Sequence, residues 1–122
     1  MSSVQEKIVD VIAERNLVSH MNNSRWSSLL TGLDAIAKRI MVKPLRWDDK
    51  PVWTNRYLIP VDGYFEPLPI GPIKFSEIEW LEIEPKNNEE CEKELKEVKA
   101  AFTKEGSCFK VWGYTDRGKN FI

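Results

Sequence analysis

The chain of 122 residues carries a formal net charge of -1 and a sequence pI near 5.9, with 42% hydrophobic and 30% charged residues. That length fits one domain, residues 1–122, large enough to bury a core without metal or disulfide support. The balance excludes a disordered tail, provides no global attraction to nucleic acid or anionic membrane, and leaves no apolar run near the roughly 18 residues a membrane span needs.

The opening MSSVQEKIVDVIAER is charged every few residues and has neither the apolar stretch nor the cleavage site of a signal peptide. Cys91 and Cys108 are isolated, without CxxC spacing. Together these features point to a cytoplasmic protein with reduced thiols.

Ser3 and Glu6 form a capping box, and Val4, Ile8, Val11 and Ile12 recur at helical spacing, which predicts an amphipathic helix ending near Asn16. With Met21 as an alternative start, residues 1–20 read either as part of the domain or as a helical extension of it. A second helix is predicted from a cap at Asn23 or Ser24 through the stripe Trp26, Leu29, Leu30, Leu33, Ile36, Ala37 and Ile40. Strands follow near Met41 to Trp47 and Val52 to Val61, then a proline-stiffened loop from Asp62 to Pro72.

The stretch FSEIEWLEIEP alternates apolar residues with Glu77, Glu79, Glu82 and Glu84, its phase slipping at Trp80-Leu81. A bulge at the slip would put all four glutamates on one face and Ile78, Trp80 or Leu81, and Ile83 on the other, buried one. A third helix, capped by Asn88, is expected to run to about Lys104 and to be closed by Gly106, and a last strand from Cys108 to Tyr114 alternates Cys108, Lys110 and Trp112 against Phe109, Val111 and Gly113. The order ααβββαβ implies an α+β fold, a mostly antiparallel sheet of about four strands with the helices packed on it.

Chemistry-bearing patterns are sparse. His20 is the only histidine and has no orienting carboxylate near it in sequence. One histidine and two distant cysteines do not make a zinc set, WDDKP lacks the spacing of a calcium loop, and the glycines form no phosphate cradle. The expectation is a protein with no catalytic set, no metal and no cofactor.

Charge is segregated along the chain. From Lys38 to Arg56 six basic residues face only Asp48 and Asp49, and from Glu77 to Glu97 nine glutamates face three lysines. One reading of the glutamate strand is an exposed sheet edge protected by charge. The other is an acidic face for a positively charged partner, with Tyr64 and Phe65 of DGYFEPLPIGP and Trp53 as aromatic anchors, the alternative for the adjacent pair being that one ring folds back to cover the sheet. An alternative uses the basic and aromatic residues of segment 46–57, Arg46, Trp47, Trp53 and Arg56, to bind single-stranded nucleic acid.

A small cytoplasmic domain, rich in tryptophan and densely acidic, resembles the immunity proteins of bacterial toxin systems, including contact-dependent growth inhibition. FSEIEWLEIEP and DGYFEPLPIGP also resemble stretches of bacterial domains of unknown function. The first resemblance implies binding and neutralisation of a cognate toxin, commonly a basic nuclease, with Glu77, Glu79, Glu82 and Glu84 as the acidic face.

Overall fold

The computed structural model describes residues 4–45, 51–59, 63–68 and 71–116. Ser3, and with it the expected capping box, lies outside them. Helix α1 (Val4–Arg15) ends at Asn16, whose φ of 53° is the left-handed conformation asparagine tolerates, and strand β1 (Leu17–Ser19) follows. Asn22 caps α2 (Asn23–Thr31), its side-chain oxygen accepting from the Arg25 amide at 2.8 Å. Gly32 ends that helix, and one further turn, α3 (Leu33–Ile36), runs directly into strand β2 (Ala37–Pro44).

The expected second helix is therefore too long. Ile36, Ala37 and Ile40 have helical spacing, but Ile40 and Val42 alternate on one side of a strand, where β-branched side chains pack well and a partner strand is available.

Beyond β2 lie the short strands β3 (Trp53–Thr54), β4 (Tyr57–Leu58), β5 (Tyr64–Pro67) and β6 (Ile73–Lys74), a 3-10 turn (Phe75–Glu77), and β7 (Ile78–Pro85). The described part of the expected strand over 52–61 is thus broken in two, and the expected loop from Asp62 to Pro72 contains β5; residues 60–62 and 69–70 lie outside the described residues. Asn87, rather than the expected Asn88, caps α4 (Asn88–Glu97), and β8 (Phe102–Glu105), β9 (Cys108–Trp112) and β10 (Tyr114–Asp116) follow. Helix α4 stops well short of Lys104 because Phe102 pairs with Val111, and Gly106, at φ 63°, turns the β8–β9 hairpin instead of closing a helix.

The fold is α+β, with more and shorter strands than the expected four. A five-stranded antiparallel sheet has the order β3-β2-β7-β9-β8; β4-β5-β6 and β1-β10 form smaller sheets. Strand β7 is central and paired on both sides, so its glutamates do not guard an exposed edge.

One side of the large sheet contributes Ile40, Val42, Leu81, Ile83, Phe109 and Val111 to the main core. Against it pack Trp26, Leu29 and Leu30 of α2, Cys91 and Leu95 of α4, and Phe65 and Ile73 of the three-stranded sheet. A second cluster of Ile8, Leu17 and Leu45, flanked by Val11, Ile12 and Tyr114, ties α1 to the β1-β10 pair.

The junction of these parts is Gly113. Its amide donates to the Glu79 carbonyl at 2.8 Å, and its carbonyl accepts from the His20 amide at 2.9 Å. An added Cβ would stand 2.0 Å from the Ile78 carbonyl oxygen, which is backbone and cannot rotate away. Gly113→Ala is expected to cost about 1–3 kcal/mol or more in urea unfolding; wild-type stability in that variant would contradict the close approach.

Candidate functional site

Alternation along the strands puts Arg39, Met41 and Lys43 of β2, Trp80, Glu82 and Glu84 of β7, and Cys108, Lys110 and Trp112 of β9 on the side of the sheet away from the main core. Trp53, opposite Met41, and Thr103, opposite Lys110, extend this face toward the two edges. Among the described residues, the buried side chains of α2, α3 and α4 all belong to the core on the other side. The outer face thus exposes parts of Trp53, Trp80 and Trp112, all half-buried.

Register decides what these side chains touch. Glu82 stands opposite Lys110, and their charged atoms are 3.7 Å apart; Glu84 stands opposite Arg39 and is hydrogen-bonded to it. The Lys110 ammonium lies 4.3 Å from the centroid of the Trp80 ring system and 5.1 Å from that of Trp112. The Arg39 guanidinium lies 4.6 Å from the Trp53 centroid. The Trp112 indole N–H donates to the Thr103 hydroxyl at 3.0 Å, which fixes that ring. Lys110 of β9 and Arg39 of β2 are therefore each held between a glutamate of β7 and one or two tryptophan faces, whereas Lys43 of β2 approaches Glu79.

This arrangement corrects the expected glutamate ladder. Strand β7 runs without a shift against β9 from Trp80 to Ile83; the bulge falls at Glu79, between the pairs Lys43–Trp80 and Pro44–Ile78. Proline cannot donate to a ladder, so the irregularity falls where Pro44 meets β7. Glu82 and Glu84 consequently point outward with Trp80, whereas Glu77 is buried in the 3-10 turn. Glu79 is buried too, bound by both Arg15 guanidinium nitrogens at 2.8 and 3.0 Å and approached by Lys43 at 3.7 Å. The four glutamates do not share a face, and Glu79, Glu82 and Glu84 each meet a cation of this chain.

The other anticipated residues separate. Phe65 is fully buried in the main core, 5.8 Å from the Tyr57 ring centroid, and so cannot anchor a partner; Tyr64 points the other way, half-buried, with the Lys74 ammonium 6.0 Å from its ring. Trp53 lies on the open face. Arg56 is exposed in the turn between β3 and β4, and Arg46 and Trp47 lie outside the described residues. Glu89, Glu90 and Glu97 remain solvent-facing on α4. Trp80, Lys110, Trp112 and Arg39 carry the outer face without having been singled out; the alternation of Cys108, Lys110 and Trp112 was the visible signal.

Cys91 and Cys108 are free thiols. Burial, reinforced by Glu92 and Glu94, pushes the Cys91 thiol up to about 12, and burial also raises that of Cys108. No group of three or more metal-ligating side chains forms among the described residues, and none of their helices is long and apolar enough to cross a membrane.

Fold and face together define an α+β domain with one aromatic, charge-paired sheet surface. By its sequence the chain belongs to the family of unknown function DUF6678, whose model matches residues 8–118. No curated protein and no solved structure shows significant similarity to it.

His20 sits away from that face. Its ring nitrogen Nε2 meets the buried Thr115 hydroxyl, and its carbonyl accepts from the Arg25 guanidinium at 3.4 Å. Burial lowers the imidazole pKa below the ordinary 6.5, so the unfolded chain takes up the proton first. The corresponding stability is present above about pH 6.5 and is lost as pH falls through the folded-state value. His20→Gln is expected to flatten the fall in thermal midpoint between about pH 7.5 and 5.5; parallel curves for variant and wild type would contradict this.

Proposed function

We propose that the chain is a non-catalytic protein-binding domain whose partner docks on the open face of the five-stranded sheet. The observation that carries the reading is the exposure of parts of Trp53, Trp80 and Trp112 on a side of the sheet that the main core leaves uncovered. Tryptophan is the residue most enriched among interface hot spots, because a large, rigid ring buries much apolar area at small entropic cost. The five strands, of two, eight, eight, five and four residues in sheet order, give a footprint of roughly 430 Å² at about 3.3 Å per residue and about 4.8 Å spacing. A stable interface covers about 800 Å² per partner. Docking would therefore spread beyond the face, and the exposed Val52, just before the β3 edge strand, and Leu58 and Ile59 after it, supply apolar surface for it.

The particular form proposed is an immunity-type inhibitor with a basic toxin as partner. The acidic surface of α4, with five glutamates against two lysines, supports it. Because α4 packs on the other side of the sheet, its charge would act at long range, raising the association rate, while the tryptophans supply affinity. A second reading, single-stranded nucleic-acid binding, is favoured by the same rings, since bases stack on aromatic sheet surfaces. Against it stands the engagement of Lys110 and Arg39 by Glu82 and Glu84.

The test is capture of partners from cells carrying the gene, with wild type compared to Trp80→Ala/Trp112→Ala. The account expects wild type to retain one stoichiometric polypeptide, and the double variant, folded by circular dichroism, to bind it about 30-fold or more weakly, as loss of a hot spot of about 2 kcal/mol or more implies. Charge reversal at Glu89 and Glu90 is expected to slow association and reduce its salt dependence. Equal retention by the double variant would remove the sheet face from the account, and recovery of nucleic acid would favour the second reading.

A further inference from the structure

Trp80 and Trp112 stand directly opposite each other on β7 and β9, and one ammonium group, that of Lys110, lies against both rings at 4.3 and 5.1 Å. Glu82 completes the surround at 3.7 Å. Two indole rings and a carboxylate around one cation is the composition of the aromatic cages that recognise quaternary and methylated ammonium groups. Here the chain supplies its own occupant.

Three features make the site more than a chance stack. The Trp112 ring is fixed by its hydrogen bond to Thr103. The side chains of Lys110 and Glu82 are each only 19% exposed, so the charges are partly desolvated, which strengthens the attraction to the rings. The occupant hangs on a flexible four-carbon stem and can leave for water without moving the backbone. A primary ammonium is strongly hydrated and gives up water at a cost, whereas a methylated one carries its charge on weakly hydrated methyl groups and loses less on entering an aromatic site.

We propose that Trp80, Trp112 and Glu82 form a binding site for an alkylammonium cation, closed by Lys110 in the isolated protein and occupied by an N-methylated lysine of a partner protein when the face is engaged. The identity of that occupant rests on the docking reading above, but the cage itself is tested without a partner. Tryptophan emission is followed while tetramethylammonium chloride is added, with sodium chloride at equal ionic strength as the control. Lys110→Ala is expected to give a saturable change at about tenfold lower concentration than wild type, because a side chain that fills a site about nine-tenths of the time weakens binding by that factor. Lys110→Ala/Trp80→Leu is expected to show none.

Identical titrations for wild type and Lys110→Ala, or a linear response equal to that of the double variant, would overturn the cage. If Lys110→Ala does not fold, Lys110→Thr keeps a strand-forming residue at the position, and the indole N–H resonances of Trp80 and Trp112 in wild type report the same binding. In a variant with a saturable site, a trimethyllysine peptide that binds more tightly than free choline assigns the occupant to a protein, and a preference for choline overturns that assignment. A saturable site in a chain that captures no partner would sink the docking reading alone, and partner capture without a saturable site would sink the cage alone.

Discussion

Carboxylates on the central strand of a sheet need cations beside them, and the rest of this structure is arranged to bring those cations. Neighbouring glutamates on one side of a strand stand about 7 Å apart and repel by about 0.6 kcal/mol in water, or about 2 kcal/mol at the effective dielectric of a protein surface. An opposite charge at 3.7 Å attracts by about 1 to 4 kcal/mol over the same range. Attraction wins at each position, although solvent screening leaves each exposed pair a net contribution of about 1 kcal/mol or less. Glu82 takes Lys110 from β9, Glu84 takes Arg39 from β2, and Glu79, at the bulge, takes Arg15 from α1. The three ion pairs join the central strand to both its neighbours and to the N-terminal helix.

The same pairing shapes the surface. With Lys110 drawn toward Glu82 and Arg39 toward Glu84, the cations settle over Trp80, Trp112 and Trp53. The face is thereby close to electrically balanced despite its many charges, and on the proposed docking reading affinity would come from the rings rather than from net charge. The net acidity of the later third of the chain resides on α4, where it faces solvent on the opposite layer. The half-buried tryptophans and the acidic helix thus lie on different sides of one small α+β domain.

What the sequence made legible follows from the range of the forces involved. Helix α1 and the alternation of Cys108, Lys110 and Trp112 were readable because periodicity is local, and α2 and α4 were placed with their caps displaced, Asn22 and Asn87 standing where Asn23 or Ser24 and Asn88 were expected. The ends of the helices were not. Ala37–Pro44 and Phe102–Glu105 have apolar spacings that suit either conformation, and pairing with β7 and β9 decides for strand. The bulge was expected one residue late because its place depends on where Pro44 meets β7, a relation invisible without register. Of the candidate site, Trp53 was visible from its composition, the pair Tyr64 and Phe65 left open which ring covers the sheet and Phe65 is the one that does, and the triad of Trp80, Glu82 and Lys110 required knowing that β7 and β9 are neighbours. The segregation of basic and acidic residues along the chain, read as a dipole, is in part the complementarity of adjacent strands β2 and β7.

The most direct measurement of this arrangement is the chemical shift of the Lys110 side-chain Hε protons in the folded protein. A methylene group held over two indole rings feels their ring currents, so the account places the Hε resonance well upfield of an ordinary lysine and moves it back toward the ordinary position in Glu82→Gln. A Lys110 Hε resonance at its solvent-exposed value in wild type would mean that the glutamates of β7 do not hold cations over the tryptophans, and the open face would lose its organising principle.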